Sequence, residues 1–204
     1  MRSMPLDRTF FRQNPVDLAR DLLGRHLVRY INGQRLTVRI VETEAYLGVP
    51  DLAAHTAGGR RTARNQSMYL DGGHLYVYFT YGMHYCMNIV ASTAEDPVAV
   101  LLRAGEPLEG IEVMQASRSR ATRLTDLCSG PAKLCQALQI DRKYDGIDLL
   151  APESAIVVEP GDLSRSFVKE SIVTRPRIGV GYAKEWADKP LRFYLRDNPH
   201  VSRP

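Results

Sequence analysis

Residues 26–46, HLVRYINGQRLTVRIVETEAY, decide the fold. Asn32-Gly33 separates two apolar-rich runs and supplies the two positive φ angles of a type I′ turn, so His26–Ile31 and Arg35–Thr43 are predicted to pair as a β-hairpin. Along the second strand, strict period two puts Leu36, Val38 and Ile40 on one inward face and carries Glu42 and Glu44 onto that same face. A buried carboxylate without a partner is costly or takes up a proton. Two readings follow: a water-activating base in a cleft, or a strand that ends earlier and leaves both acids solvated or salt-bridged.

Upstream, Asn14-Pro15 before VDLARDLL and Gly24 reads as a helix with its N-cap, first-turn proline and terminal glycine in place. Downstream, residues 49–73 lack a sustained period and are rich in Gly, Asp, Arg and Thr, which predicts a long loop with one helical turn; loops this long tend to be functional. Strands are predicted at Leu75–Phe79, Cys86–Ala91 and Val98–Arg103. A helix is predicted from Pro107 to about Ser117, and a second after Ser129-Gly130-Pro131 through AKLCQALQI. Short strands are expected at Ala155–Glu159, Arg177–Val180 and Leu191–Leu195. With no repeat, linker or low-complexity tract, the expectation is an α+β fold. One compact domain over residues 1–204 carries a curved, mostly antiparallel sheet with helices around it.

The 204 residues bury enough surface to fold without staples. The N-terminal run has no continuous apolar segment and the three cysteines lack CxxC spacing, so an intracellular, reducing compartment is expected and no membrane partner: cytoplasm (nucleoid) in a prokaryote, nucleus in a eukaryote. The 27 Lys and Arg against 23 Asp and Glu give a net charge of +4, which permits a polyanionic partner and is equally common among enzymes of small metabolites. His26, His55, His74, His84 and His200 have no ligand spacing, and Gly179-Val180-Gly181 is a lone GxG, so neither a metal nor a nucleotide cofactor is expected. Cys128 and Cys135, seven apart, are candidates for one helix face.

Half of the ten tyrosines fall in YLDGGHLYVYFTYGMHY, at Tyr69, Tyr76, Tyr78, Tyr81 and Tyr85. Strand aromatics ordinarily fill a core. Tyr81-Gly82 stands at a strand-to-strand turn, where a tyrosine projects outward and can wedge into a base stack. Arg60, Arg61 and Arg64 are candidates for phosphate contact, whereas Arg118, Arg120 and Arg123 read as solvated loop charges. Ser129-Gly130-Pro131 reads as an ordinary helix cap, and Trp186 as core.

Six runs in order, ETEAYLG, AAHTAGGRRTARN, LYVYFTYGMHYCMN, LLRAGEPLEG, LCSGPAKLCQAL and RIGVGYAKEWADKPLRFY, resemble the alkyladenine (3-methyladenine) DNA glycosylase family along nearly the whole chain. The resemblance implies base flipping in double-stranded DNA containing damaged purines, hydrolysis without a lyase step, and no metal or other cofactor. It implies Glu44 as the base that deprotonates the water attacking C1′, and Arg103 as the group holding that water and Glu44. Tyr46, His55 and Tyr78 match the pocket that sandwiches the damaged base, with the His55 amide reading the purine's six-position. Tyr81 matches the wedge, and Asn88 the residue that crowds the two-amino group of guanine. The matched motifs bring no lysine to the pocket for a covalent step. A monomer is the natural form for a lesion scanner. A catalytically silent nucleic-acid-binding module and a hydrolase of free nucleosides stay open as alternatives.

Overall fold

The computed structural model describes residues 6–161 and 172–204. Its architecture is α+β. Strands β1 (His26–Ile31), β2 (Gln34–Tyr46), β3 (Leu75–Thr80), β4 (His84–Val90), β5 (Ala99–Glu109) and β6 (Ile156–Glu159) form an open sheet in the order β3-β4-β5-β2-β1-β6. β8 (Arg192–Leu195) also pairs with β2, and β7 (Ile172–Arg175) pairs with β8. Every pairing is antiparallel. Helices α1 (Arg8–Phe11), α2 (Pro15–Asp21), α3 (Ile111–Ser117) and α4 (Pro131–Ala137) accompany the sheet. Among the described residues no helix is long and apolar enough to cross a membrane.

Local chemistry explains the elements that match expectation. Asn14 Oδ1 accepts from the Val16 and Asp17 amides at 3.0 Å each, Pro15 occupies the first helical turn, and Gly24 leaves the helix with φ +83°. Asn32 and Gly33, at φ +48° and +78°, join β1 to β2 in the register Ile31↔Gln34.

Four expectations are corrected. The strand from Arg35 does not stop at Thr43 but runs to Tyr46. Residues 107–109 extend β5 rather than open a helix, because Pro107 sits at a register shift opposite Val38, where a missing ladder donor is tolerated. The turn into α3 comes only at Gly110, with φ +70° and so little room that a Cβ there would lie 2.7 Å from Leu36. Residues 177–180 form no strand: Pro176 interrupts the ladder after β7 and Arg177 is drawn inward. The 49–73 segment folds into two short 3₁₀ turns, Ala57–Gly59 and Gln66–Tyr69, where one helical turn was expected.

One irregularity positions the site. β2 and β5 pair Ile40↔Gly105, Glu42↔Ala104 and Thr43↔Leu102, so Val41 and Arg103 are each left over as bulged residues. Leu36, Val38 and Ile40 enter the main core, and beyond the bulge it is Val41 and Ala45 that continue there. Thr43 Oγ1 donates to the Ala19 carbonyl of α2 at 2.8 Å on that side. Glu42, Glu44 and Tyr46 are thereby turned to the opposite face, not onto the face of Leu36 as strict alternation predicts.

Candidate active site

On that opposite face lies a cavity of about 290 Å³, lined among others by Tyr46, His55, Tyr76, Tyr78, Asn88 and Arg103. β2 contributes Tyr46, β3 the two further tyrosines, β4 Asn88, β5 Arg103, and the 49–73 segment His55.

The floor is ionic, and each of its charges has a partner. Glu42 and Glu44 are both at 0% exposure on a strand that continues to Tyr46, so they are not solvated; they are salt-bridged, as the second reading allowed. Glu44 Oε1 accepts from the Ile178 amide at 2.8 Å and faces Arg103 Nη1 at 3.2 Å, while its Oε2 accepts from the Tyr46 hydroxyl at 2.9 Å. Burial pushes the Glu44 carboxyl above its ordinary value, and Arg103, the Ile178 amide and Tyr46 pull it back toward the ionised form. Burial also holds the Tyr46 phenol well above its ordinary value, so it keeps the proton it donates. Glu42 is bound by Arg103 Nε at 3.2 Å, Arg192 Nη1 at 2.9 Å and the Ser202 amide at 2.8 Å.

A second buried pair braces the wall. Arg177 donates to Asp51 at 2.5 and 2.8 Å and to the Ala45 carbonyl at 3.0 Å, and its guanidinium lies 4.6 Å from the centre of the Tyr46 ring. Asp51 also accepts from the Leu47 and Ala53 amides at 3.0 Å each. One ion pair thus ties the loop leading to His55 to the segment that presents Ile178.

The aromatic walls are in mutual contact. The His55 and Tyr78 rings meet edge-on with centroids 4.6 Å apart, and Tyr76 stacks on Tyr78 at 5.4 Å. The His55 ring nitrogen Nδ1 and the Tyr76 hydroxyl are 2.7 Å apart. Burial, then the neighbouring Arg64 and Arg60, lower the His55 pKa to about 4, so the ring is neutral at physiological pH. A neutral imidazole does not repel a cationic ring placed beside it. Asn88 is buried and donates through Nδ2 to the Tyr76 carbonyl at 3.1 Å.

At the mouth, Tyr81 is 83% exposed, on the turn between β3 and β4. It holds φ +51° and is followed by Gly82 at +69°. Arg60, Arg61 and Arg64 are exposed nearby, but not equivalently. Arg61 pairs with Glu95, and Arg64 donates to the Phe79 carbonyl at 3.0 Å. The second arginine group departs from expectation at Arg118, which donates to the Leu127 carbonyl at 2.7 Å and to the Asp126 carbonyl, so it closes a loop instead of being solvated. Cys128 precedes α4 rather than sharing its face with Cys135, and both are buried and free. Trp186 is in the core.

The fold brings Tyr46, His55, Tyr78, Asn88 and Arg103 to one cavity with Tyr81 at its edge, and sets Glu44 directly behind its lining, held by Tyr46, Arg103 and the Ile178 amide. Sequence reading missed Asp51, Arg177, Ile178 and Arg192. The one available signal was Pro176 ahead of two glycines, which marks residues 177–181 as irregular backbone and not a strand.

A family model described as methylpurine-DNA glycosylase matches residues 9–199. The chain is 52% identical over 202 residues to the human DNA-3-methyladenine glycosylase, an alignment covering 95% of this chain and 66% of the human one. The mouse protein of the same name is 49% identical, with 95% and 60% covered. A putative 3-methyladenine DNA glycosylase of Natranaerobius thermophilus is 44% identical, with 98% and 99% covered. The chain thus spans under two thirds of the length of these mammalian relatives and nearly all of the bacterial one.

Proposed function

Because the chain belongs to the methylpurine-DNA glycosylase family, we propose that it excises alkylated or deaminated purines from double-stranded DNA by hydrolysis of the N-glycosidic bond, leaving an abasic site. The substrates are of the 3-methyladenine, 7-methylguanine, hypoxanthine and etheno-adenine class. It acts as one monomeric domain inside the cell.

The observation that carries this reading is a fully buried carboxylate, Glu44, held by an arginine, an amide and a phenol beneath an aromatic cavity whose edge bears an exposed tyrosine. The target nucleotide swings out of the stack, and Tyr81 fills the space it leaves. Its base enters between Tyr46, His55 and Tyr78, whose π faces favour the electron-poor ring of an alkylpurine, and Asn88 crowds the two-amino group of normal guanine. Glu44 removes a proton from water as that water attacks C1′, and its remaining charge stabilises the oxocarbenium-like sugar. Arg103 keeps Glu44 ionised and orients the water. 3-Methyladenine leaves from an already cationic state, so that departure needs no proton, whereas a neutral base such as hypoxanthine would benefit from a proton donor. Arg60, Arg61 and Arg64 contact phosphates along the duplex.

The test is base release from alkylated duplex DNA, run beside the corresponding free nucleosides. Release from duplex alone is expected. Equal or faster cleavage of the free nucleosides replaces this reading with a small-molecule hydrolase, and binding of duplex without release replaces it with a silent DNA-binding module.

A further inference from the structure

Glu42 lies two residues from Glu44 and is as deeply buried, yet the mechanism above gives it no role. Its partners explain what it does to the others. Arg103 is divided: Nε goes to Glu42 at 3.2 Å, Nη2 to the Ser202 hydroxyl at 3.4 Å, and only Nη1 to Glu44 at 3.2 Å. Glu42 is itself fixed from two further directions, by Arg192 Nη1 at 2.9 Å and by the Ser202 amide at 2.8 Å. Arg192 Nε in turn donates at 3.0 Å to the carbonyl of Pro176, two residues before the amide that holds Glu44. A carboxylate offers about four acceptor positions. On Glu44 the Ile178 amide, the Tyr46 hydroxyl and Arg103 Nη1 take three of them. A guanidinium free to choose closes on a carboxylate with both arms of its fork, and on Glu44 that second arm would take the last position.

We infer that Glu42 is a positioning residue: it anchors the Nε edge of Arg103, with Ser202 on Nη2, so that the guanidinium meets Glu44 through one nitrogen and leaves an acceptor position for the attacking water. The inference rests on the proposed role of Glu44 as base. It also makes the C-terminal residues around Ser202, far from the cavity in sequence, part of the support of the reacting carboxylate.

The test is the pH dependence of single-turnover base release from a lesion duplex. The charged and titratable groups facing Glu44 are Arg103 from β5, Tyr46 and Glu42 from β2, Arg177 after β7, Tyr78 from β3 and Cys86 from β4. Glu42→Gln keeps the size but releases Arg103 toward Glu44. The expected result is a rate about tenfold lower at neutral pH, the scale of coupling within one network, with lesion-duplex affinity within a few-fold. The acid limb should move to lower pH, because the repulsion from the Glu42 charge is lost and Arg103 then favours the ionised Glu44 more strongly; it is the lowered rate at neutral pH, where Glu44 is already ionised, that reports positioning and not charge alone. A folded Glu42→Gln protein with the parent's rate and limb overturns the inference. Should Glu42→Gln fail to fold, Glu42→Asp decides: it keeps the charge but withdraws from Arg103, and a lowered rate at unchanged affinity supports positioning, whereas the parent's rate overturns it. Failure of the base assignment itself has a different signature, since a Glu44→Gln protein with normal turnover removes both readings at once.

Discussion

The cleft floor and the turn at its mouth invert the usual distribution of residue types. At the floor, Glu42, Glu44, Arg103 and Arg192 are charged and no more than 7% exposed; at the mouth, Tyr81 and Met83 are apolar or aromatic and 83% and 69% exposed. Buried charges persist only with geometry that satisfies each of them, and here β2, β5, β8, the segment after β7 and the C-terminal residues all contribute partners. An exposed aromatic at positive φ needs no partner and gains nothing from the fold. One region is over-determined by the structure, and the other is left exposed by it, as the proposed contact with a partner requires.

The largest test of that contrast is Glu44→Gln. Base release should fall about two to four orders of magnitude, the range for a positioned general base, while lesion-duplex affinity stays within a few-fold. In the parent, burial places the Glu44 carboxyl above its ordinary value, so the basic form is lost as pH falls through that raised value. The acid limb of single-turnover release should therefore lie above the ordinary glutamate range. Near-normal turnover in the variant would break the floor's assignment.

Tyr81→Ser should act less strongly and in a different place. Extruding a well-paired purine costs a few kcal/mol, and loss of the wedge should lower excision about tenfold. A lesion opposite a mismatch is already partly unstacked and should be less affected, whereas Glu44→Gln impairs both substrates alike. Equal activity of Tyr81→Ser on paired and mismatched lesions would make Tyr81 an ordinary surface tyrosine.

Smaller effects separate the arginines at the mouth. Arg60→Ala should reduce the slope of log K against log salt for duplex binding by about 0.9, one phosphate's worth. Arg61→Ala, whose guanidinium already pairs with Glu95, should change it less. Equal slopes in the two variants would remove the distinction between Arg61, paired with Glu95, and Arg60, which has no ion pair among the described residues.

The smallest effect is expected in stability. Tyr81→Gly relieves a left-handed residue, worth about 1 kcal/mol, and adds unfolded-state freedom of about 0.5–1 kcal/mol. Denaturant unfolding should therefore show a change within about 0.5 kcal/mol, although truncating a buried aromatic ordinarily costs about 3–5 kcal/mol. A loss on the core scale would mean that the turn is packed in solution.

The sequence by itself determined the hairpin, the capped helix before it and the α+β class, because each is written in a local signal: Asn-Gly for the turn, Asn-Pro for the cap, alternation for strands; through its family resemblance it also pointed to Tyr46, His55, Tyr78, Asn88 and Arg103 at the cavity, but not to Ile178. It also placed Tyr81 outward, since a tyrosine and glycine at a turn have little choice. Only the tertiary structure decided which face the two glutamates occupy. The paired bulges at Val41 and Arg103 break the period, and a bulge depends on the partner strand, which no window of β2 contains. The same is true of the division between Glu42 and Glu44. Both are buried glutamates two residues apart, and what separates them is that Arg192 and Ser202, some 150 residues further along the chain, reach one of them and not the other.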